Sequence, residues 1–224
     1  HTTVPKRTIP IGSTIHVATR DASGDFQLRT LCAMHTGSVC NVFLVLYRGV
    51  IRAVKLLVHG CAAISQENAV ARMQIRSPHV IVCTALFSSV RVYTPHSNPQ
   101  SDTTMYWAVV QEAALCDVWD AVSYTGGRGV YHTDVCFAWV RGMVQGLCVC
   151  HSKGLVHNDI KPENCLIVHN TPHKSIQDYT MYRTAFQKAV QTISKRAQPL
   201  TCPPDILNNV SLCWGDFGLA QLRK

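Results

Sequence analysis

His157, Asp159, Lys161 and Asn164 fall within a single stretch, residues 155–167, that reads Leu-Val-His-Asn-Asp-Ile-Lys-Pro-Glu-Asn-Cys-Leu-Ile. Apolar residues flank these polar ones, so the stretch reads as a short loop pinned between two packed elements. Such a loop aims a carboxylate, an ammonium and an amide toward one point. A carboxylate can orient or deprotonate a hydroxyl, a cation can sit against a phosphate, and an amide oxygen can take a divalent metal. Phosphoryl transfer uses all three. Upstream, Ile51, Ala53 and Lys55 share one face of the apolar run 50–58 by period-two alternation. A lysine on the inward face of such a strand is costly unless an anion meets it. Downstream, Asp216-Phe217-Gly218 follows the strand-like run 211–214.

The elements that must position these residues alternate in character along the chain. Residues 1–25 are rich in Thr, Pro and Gly and read as an irregular lead-in. Runs 26–31, 39–47 and 50–58 are strand-like, the last two separated by the hairpin signal Arg48-Gly49. Helical spacing follows over 64–76, with Ala69, Val70 and Met73 as its apolar stripe and Glu67 its only acidic residue. Ser77-Pro78 ends it. Runs 80–87 and 90–93 read as strands around Ser88-Ser89, 94–104 as a polar loop, and 105–111 as the next strand, leading into a connector over 111–116. A short helix is expected over 117–124, closed by Gly126-Gly127. A longer helix starts near Thr133-Asp134, with the stripe Val135, Ala138/Trp139, Met143, Leu147, Cys150, and stops at Lys153-Gly154. Residues 165–168 return to a strand. Fifty-one residues separate Asn164 from Asp216. Within them 176–196 is amphipathic, with Tyr179, Tyr182, Phe186, Val190 and Ile193 on one face; the reading is an inserted helix that packs on its own domain, and Cys202-Pro203-Pro204 ends it.

Composition narrows the classes. With 224 residues and 47 % hydrophobic content the chain can bury a sizeable core, as one domain or two small lobes. There is no run of eighteen apolar residues, so no spanning helix is expected. The net charge of +8 comes from scattered Lys and Arg, without a basic block or an aromatic-rich RNA motif, which argues against a nucleic-acid face. Eleven cysteines are many, but Cys40, Cys83, Cys136 and Cys148 stand in apolar elements and behave as small hydrophobes. Cys148-Val149-Cys150-His151 has no partnering pair, so structural zinc is not supported. The redox compartment stays open.

The order of these landmarks resembles the protein kinase superfamily, serine/threonine type. His157-x-Asp159-x-x-x-x-Asn164 is similar to the family's catalytic loop, with Lys161 in the serine/threonine form; Ala53-Val54-Lys55 resembles its strand-three motif, and Asp216-Phe217-Gly218 its metal-binding triplet. The resemblance implies an α+β, bilobal fold: a five-stranded antiparallel N-lobe sheet with a helix over 26–115, and a helical, incomplete C-lobe over 116–224 with an insert at 169–210. It implies ATP and Mg²⁺ as cofactors. Lys55, held by Glu67, would position the phosphates, Asp159 would orient the hydroxyl, Lys161 would neutralise developing charge, and Asn164 and Asp216 would hold the metal. Leu31, Gly37, Val39 and Ala53 would line the nucleotide, with Leu166 flooring the adenine. Without a gap Val110 would be the gatekeeper, with Gln111 and Ala113 offering the connector's backbone contacts; a one-residue shift toward Glu112 is the alternative.

Two departures stand out. The nucleotide-covering loop gives Cys32 and Met34 where the family has its first two glycines, which removes part of a phosphate cradle. Asn158 replaces the arginine through which a phosphorylated activation loop docks. The competing expectation is therefore a pseudokinase-like binding module, with a protein partner at the 172–200 insert. The degenerate loop and Ser152-Lys153-Gly154-Leu155-Val156-His157 are also similar to secreted rhoptry kinases of apicomplexan parasites, so localisation is left open between the cytoplasm and secretion. No activation segment follows Lys224, so the sequence reads as the front part of such a domain, with little activity expected from it alone. The protein substrate is unknown.

Overall fold

The computed structural model describes residues 11–17, 26–36, 40–58, 60, 63–81, 83–93, 105–125, 133–194 and 205–223. The expectations at Gly37, Val39, Gly126-Gly127 and 202–204 lie outside them. The chain divides into two compact units, His1–Arg72 with Cys83–Ala113, and Met73–Val82 with Ala114–Lys224.

The first unit is an antiparallel sheet carrying one helix. Its strands are β1 (Thr14–Val17), β2 (Phe26–Arg29), β3 (Cys32–Thr36), β4 (Cys40–Tyr47), β5 (Val50–Val58), β6 (Cys83–Tyr93) and β7 (Tyr106–Glu112), in the order β2-β1-β6-β7-β5-β4-β3. Among the described residues the sheet thus has seven strands where the sequence suggested five. Thr14–Val17, expected to be irregular, alternates Ile15 inward and pairs with both β2 and β6. The run 26–31 ends early, and Cys32 begins a separate strand. Residues 83–87 of the run expected at 80–87 join 90–93 in one strand, because Ser88-Ser89 is absorbed as a register shift between Phe87 and Val90, while Val80 instead bridges Trp214. The β4–β5 hairpin turns on Arg48 and Gly49, both at positive φ (50° and 75°), the two-residue geometry whose twist matches the strands.

Period two sorts the residues of this sheet. Val54 and Leu56 face a cluster with Ile15, Phe43, Val45, Val90, Tyr106, Ala108 and Val110. Lys55 and Leu57 face the other side; there Leu57 and Val109 pack on Ile64 of α1 (Ala63–Arg72). Helix α1 ends four residues sooner than its spacing suggested, and its buried positions are Ile64 and Glu67 rather than the stripe Ala69, Val70 and Met73. Each aliphatic side chain fully buried in these clusters contributes about 1.5–3 kcal/mol.

The second unit contains β8 (Ala114–Asp117), α2 (Val118–Tyr124), α3 (Thr133–Ser152), β9 (Leu155–Val156), β10 (Cys165–His169), α4 (Ile176–Ser194), α5 (Asp205–Asn208), β11 (Val210–Trp214) and β12 (Gln221–Leu222), with a single 3-10 turn at Pro162–Asn164. Asp117 caps α2 by accepting the Asp120 N–H at 2.7 Å. Of the connector expected over 111–116, residues 111–112 finish β7 and Ala114 opens strand β8, the edge of a sheet ordered β11-β10-β8. Strand β12 pairs with β9, a contact no sequence signal announced.

Helix α3 buries Trp139, Gly142, Gly146 and Cys150, while Ala138 is exposed and Met143 and Leu147 are half-buried. The buried stripe is therefore rotated from the expected one. Its cause is close approach: a Cβ on Gly146 would stand 2.5 Å from the His79 carbonyl and 2.9 Å from the Trp214 ring. The Trp214 indole also donates to the Met143 carbonyl at 2.8 Å. The inserted helix α4 packs on its own unit as expected, with Tyr179, Phe186, Val190 and Ile193 buried.

Candidate active site

In the first unit, β5 and α1 bring together the two charges the sequence singled out. Lys55 Nζ lies 2.5 Å from Glu67 Oε1, with both side chains under a tenth exposed. Burying either charge alone would cost several kcal/mol, so the pair holds both in place. Cys83 packs near Glu67; burial, then the neighbouring carboxylate, pushes its thiol up to about 11, which keeps it protonated at neutral pH. Ala53 is buried on the Lys55 face, and Leu31 is half-buried.

The same alternation corrects the connector. Lys55 is opposite Val109 and Ala53 is opposite Gln111, so Val109 and Gln111 share the Lys55 face. Val110 is opposite Val54 and points into the other cluster. It therefore lies off the Lys55 face, which the expected gatekeeper would share; the one-residue shift, which would make Gln111 the gatekeeper and Glu112 and Ala114 the backbone contacts, is the alternative that this parity fits. Sequence alone left both registers open because the run 108–110 is apolar at every position.

In the second unit, residues 157–164 form the expected loop. Asp159 Oδ2 is 2.8 Å from Lys161 Nζ. Asn164, 5 % exposed, donates its Nδ2 to the Asp159 carbonyl at 2.9 Å and to Oδ2 at 2.7 Å. The hydrogen bond from Lys161 holds the Asp159 carboxyl below the usual carboxylate range, with Asn164 assisting, while the same contact raises Lys161. His157 is 1 % exposed, and its Nε2 donates to the Gly215 carbonyl at 2.9 Å. A carbonyl only accepts, so Nε2 carries the proton and Nδ1 is left to accept the Asp159 N–H at 3.4 Å. The His157 ring lies 4.7 Å from that of Phe217 and 5.5 Å from that of Trp214. One imidazole therefore ties the loop to the residues around Asp216.

Asp216 takes φ +53°, a left-handed conformation that non-glycine residues rarely adopt. This turn leaves Asp216 exposed and Phe217 buried. Asn158 is also left-handed, φ +62°, and donates to the Leu219 carbonyl at 3.2 Å. Asparagine tolerates this region better than most residues, which gives its presence here a conformational reason. Leu166 is half-buried among Ile81, Val168 and Cys213, with its δ1 carbon against Gly215.

The donor set fits a hard divalent cation. The amide oxygen of Asn164 takes no part in the bonds its nitrogen makes, and Asp216 presents a carboxylate; magnesium is commonly held by one or two such oxygens together with phosphates and water. Among the described residues no group of three or more His, Cys, Asp and Glu side chains could hold a metal without other ligands, and no helix is long and apolar enough to cross a membrane. The cysteines among them are free.

These features are a buried Lys55–Glu67 ion pair in the first unit and an Asp-Lys-Asn loop in the second. The protein kinase domain family matches residues 36–211, and the chain belongs to that family. Relatives at low identity carry protein kinase names, several of them serine/threonine-protein kinases. The calcium/calmodulin-dependent protein kinase kinase cmkC of Emericella nidulans is 29 % identical over 76 residues, 34 % of this chain and 15 % of that protein. The serine/threonine-protein kinase PTK2/STK2 of Saccharomyces cerevisiae is 33 % identical over 65 residues, 29 % of this chain and 8 % of that protein. The serine/threonine-protein kinase chk1 of Schizosaccharomyces pombe is 29 % identical over 89 residues, 40 % of this chain and 16 % of that protein. The matched stretches thus span under a fifth of these relatives.

Proposed function

We propose that this chain is the nucleotide-handling part of an ATP-dependent protein serine/threonine kinase that transfers the γ-phosphate to a protein hydroxyl. The observation that carries the reading is the Asp159–Lys161–Asn164 constellation, held within 2.9 Å by its own side chains. Asp159 would accept the hydroxyl's hydrogen bond and orient its oxygen; a carboxylate with a depressed pKa suits orientation better than early proton abstraction. Lys161 would stand against the transferred phosphoryl group, and Lys55, steadied by Glu67, against the remaining phosphates. Asn164 and Asp216 would hold magnesium, which supplies charge neutralisation between phosphates.

The Cys32 and Met34 side chains favour a second reading, a nucleotide-impaired binding module, since they stand where glycines would let backbone N–H groups approach phosphate. Calorimetric titration with Mg·ATP separates the two. The wild type is expected to bind in a magnesium-dependent way. Lys55→Arg, which keeps a cation beside Glu67, and Asp216→Asn, at an exposed position, are each expected to abolish that dependence or the binding itself. A folded wild type that binds no nucleotide would leave the binding module as the reading.

A further inference from the structure

Tyr179, on the inserted helix, is 1 % exposed, and its hydroxyl donates to the Ala114 carbonyl at 2.6 Å. Ala114 opens β8 at an irregularity: Ile167 faces Cys116 and Val168 faces Ala114, so the register slips across Leu115. Such a bulge disrupts the ladder locally, and the Tyr179 hydroxyl gives the Ala114 carbonyl a side-chain donor from outside the ladder. The Tyr179 ring is held from a second side by His173, edge-on at 5.5 Å and 88°, and His173 in turn stacks on His169 of β10 at 5.0 Å. The insert therefore meets the connector at the Tyr179 hydroxyl, and does so at the residue that the one-residue shift would place in backbone contact with adenine.

We infer that Tyr179 is a positioning residue for nucleotide, fixing the connector backbone at Ala114 through its carbonyl. The inference rests on the nucleotide-binding reading above and adds a role for the insert that the shared kinase motifs do not contain. A purely structural role predicts something different: loss of the hydroxyl would lower the melting temperature, as would any core truncation in α4, and leave affinity alone.

ADP titration by calorimetry on the wild type, Tyr179→Phe and Val190→Ala distinguishes these. Val190 is buried on the same helix, eleven residues beyond Tyr179, and has no binding role assigned above. Tyr179→Phe is expected to bind ADP about three- to tenfold more weakly, the range a net hydrogen bond spans, while Val190→Ala melts lower and keeps wild-type affinity. Equal affinity in wild type and Tyr179→Phe overturns the inference and leaves nucleotide binding standing. Equal weakening in Val190→Ala overturns it too, since the effect would then be general. A folded wild type without ADP binding overturns the underlying reading and this one with it. Hydrogen exchange on the wild type alone gives a readout independent of any variant: ADP is expected to slow exchange at 112–117 and around Tyr179 together, and protection of the connector without that turn of α4 contradicts the role.

Discussion

Lys55 and Glu67 are each too costly to bury alone, and their separation of 2.5 Å makes them one unit energetically. Lys55→Ala is expected to destabilise by about 3–5 kcal/mol because it leaves Glu67 buried without its cation. The double variant Lys55→Met, Glu67→Leu is expected to recover most of that loss in denaturant unfolding. A double variant no more stable than Lys55→Ala would show that the pair's environment, not its charge balance, sets the cost. At Asp159 the expectation concerns titration. Lys161 is the main cause of its lowered pKa, so Lys161→Met is expected to move the Asp159 carboxyl upward, toward the ordinary carboxylate value, in a carbon-detected NMR titration. The residues that bear these charges were legible from type and spacing, because burying a lysine on an apolar strand already demands a partner. What spacing left open was parity: an unbroken apolar run over 108–110 does not say which side chain faces Lys55, and only the pairing of Lys55 with Val109 decides it.

At the scale of elements, two features run against local preference. Glycine inside a helix normally costs about 1 kcal/mol relative to alanine, so Gly→Ala usually stabilises. At Gly146 the sign is expected to reverse, by about 1–3 kcal/mol, since the new methyl meets the His79 backbone and Trp214; thermal unfolding of Gly146→Ala measures it, and a stabilised variant would refute the packing account. The second feature is the turn into α4. Burial first, and His169 second, hold His173 below the ordinary histidine range, opposed by Asp178. Tyr179 and Tyr182 complete its surroundings, and its buried Nε2 has no hydrogen-bond partner. A proton therefore binds the unfolded chain more readily than the folded one. The stability this group contributes is full above about pH 6.5 and is lost as pH falls below it. The wild type is expected to melt progressively lower between pH 7 and pH 5, and His173→Phe to show a shallower decline; equal slopes would exclude the imidazole as the cause. Helices α3 and α4 were legible from helical spacing, and the end of α3 from Lys153-Gly154, where Gly154 takes positive φ. The paired strand β12 was not, because Gln221-Leu222 is too short for any alternation to register, and its partner is set by tertiary approach alone.

At the scale of the molecule, family membership was carried by a few ordered landmarks, whereas β1 is set by pairing with β6 far along the chain, and β2 and β3 are split by pairing with different strands, β1 and β4. The longest consequence belongs to the hairpin that delivers Asp216. Strand β10 ends at His169 and its partner β11 begins at Val210, with residues 170–209 between them. Closing a loop of this length costs about 2 kcal/mol more than closing a four-residue turn. It also costs time. At roughly 5–20 residues per second, a ribosome needs about 2–8 s to deliver β11 after β10 has been made. Through that interval Cys-Leu-Ile-Val-His lacks its β11 partner, the kind of unpaired edge that recruits other chains. Newly made protein should therefore aggregate from this edge when synthesis outruns chaperones, and slowing translation across 170–209 would worsen the yield while leaving the finished fold unchanged.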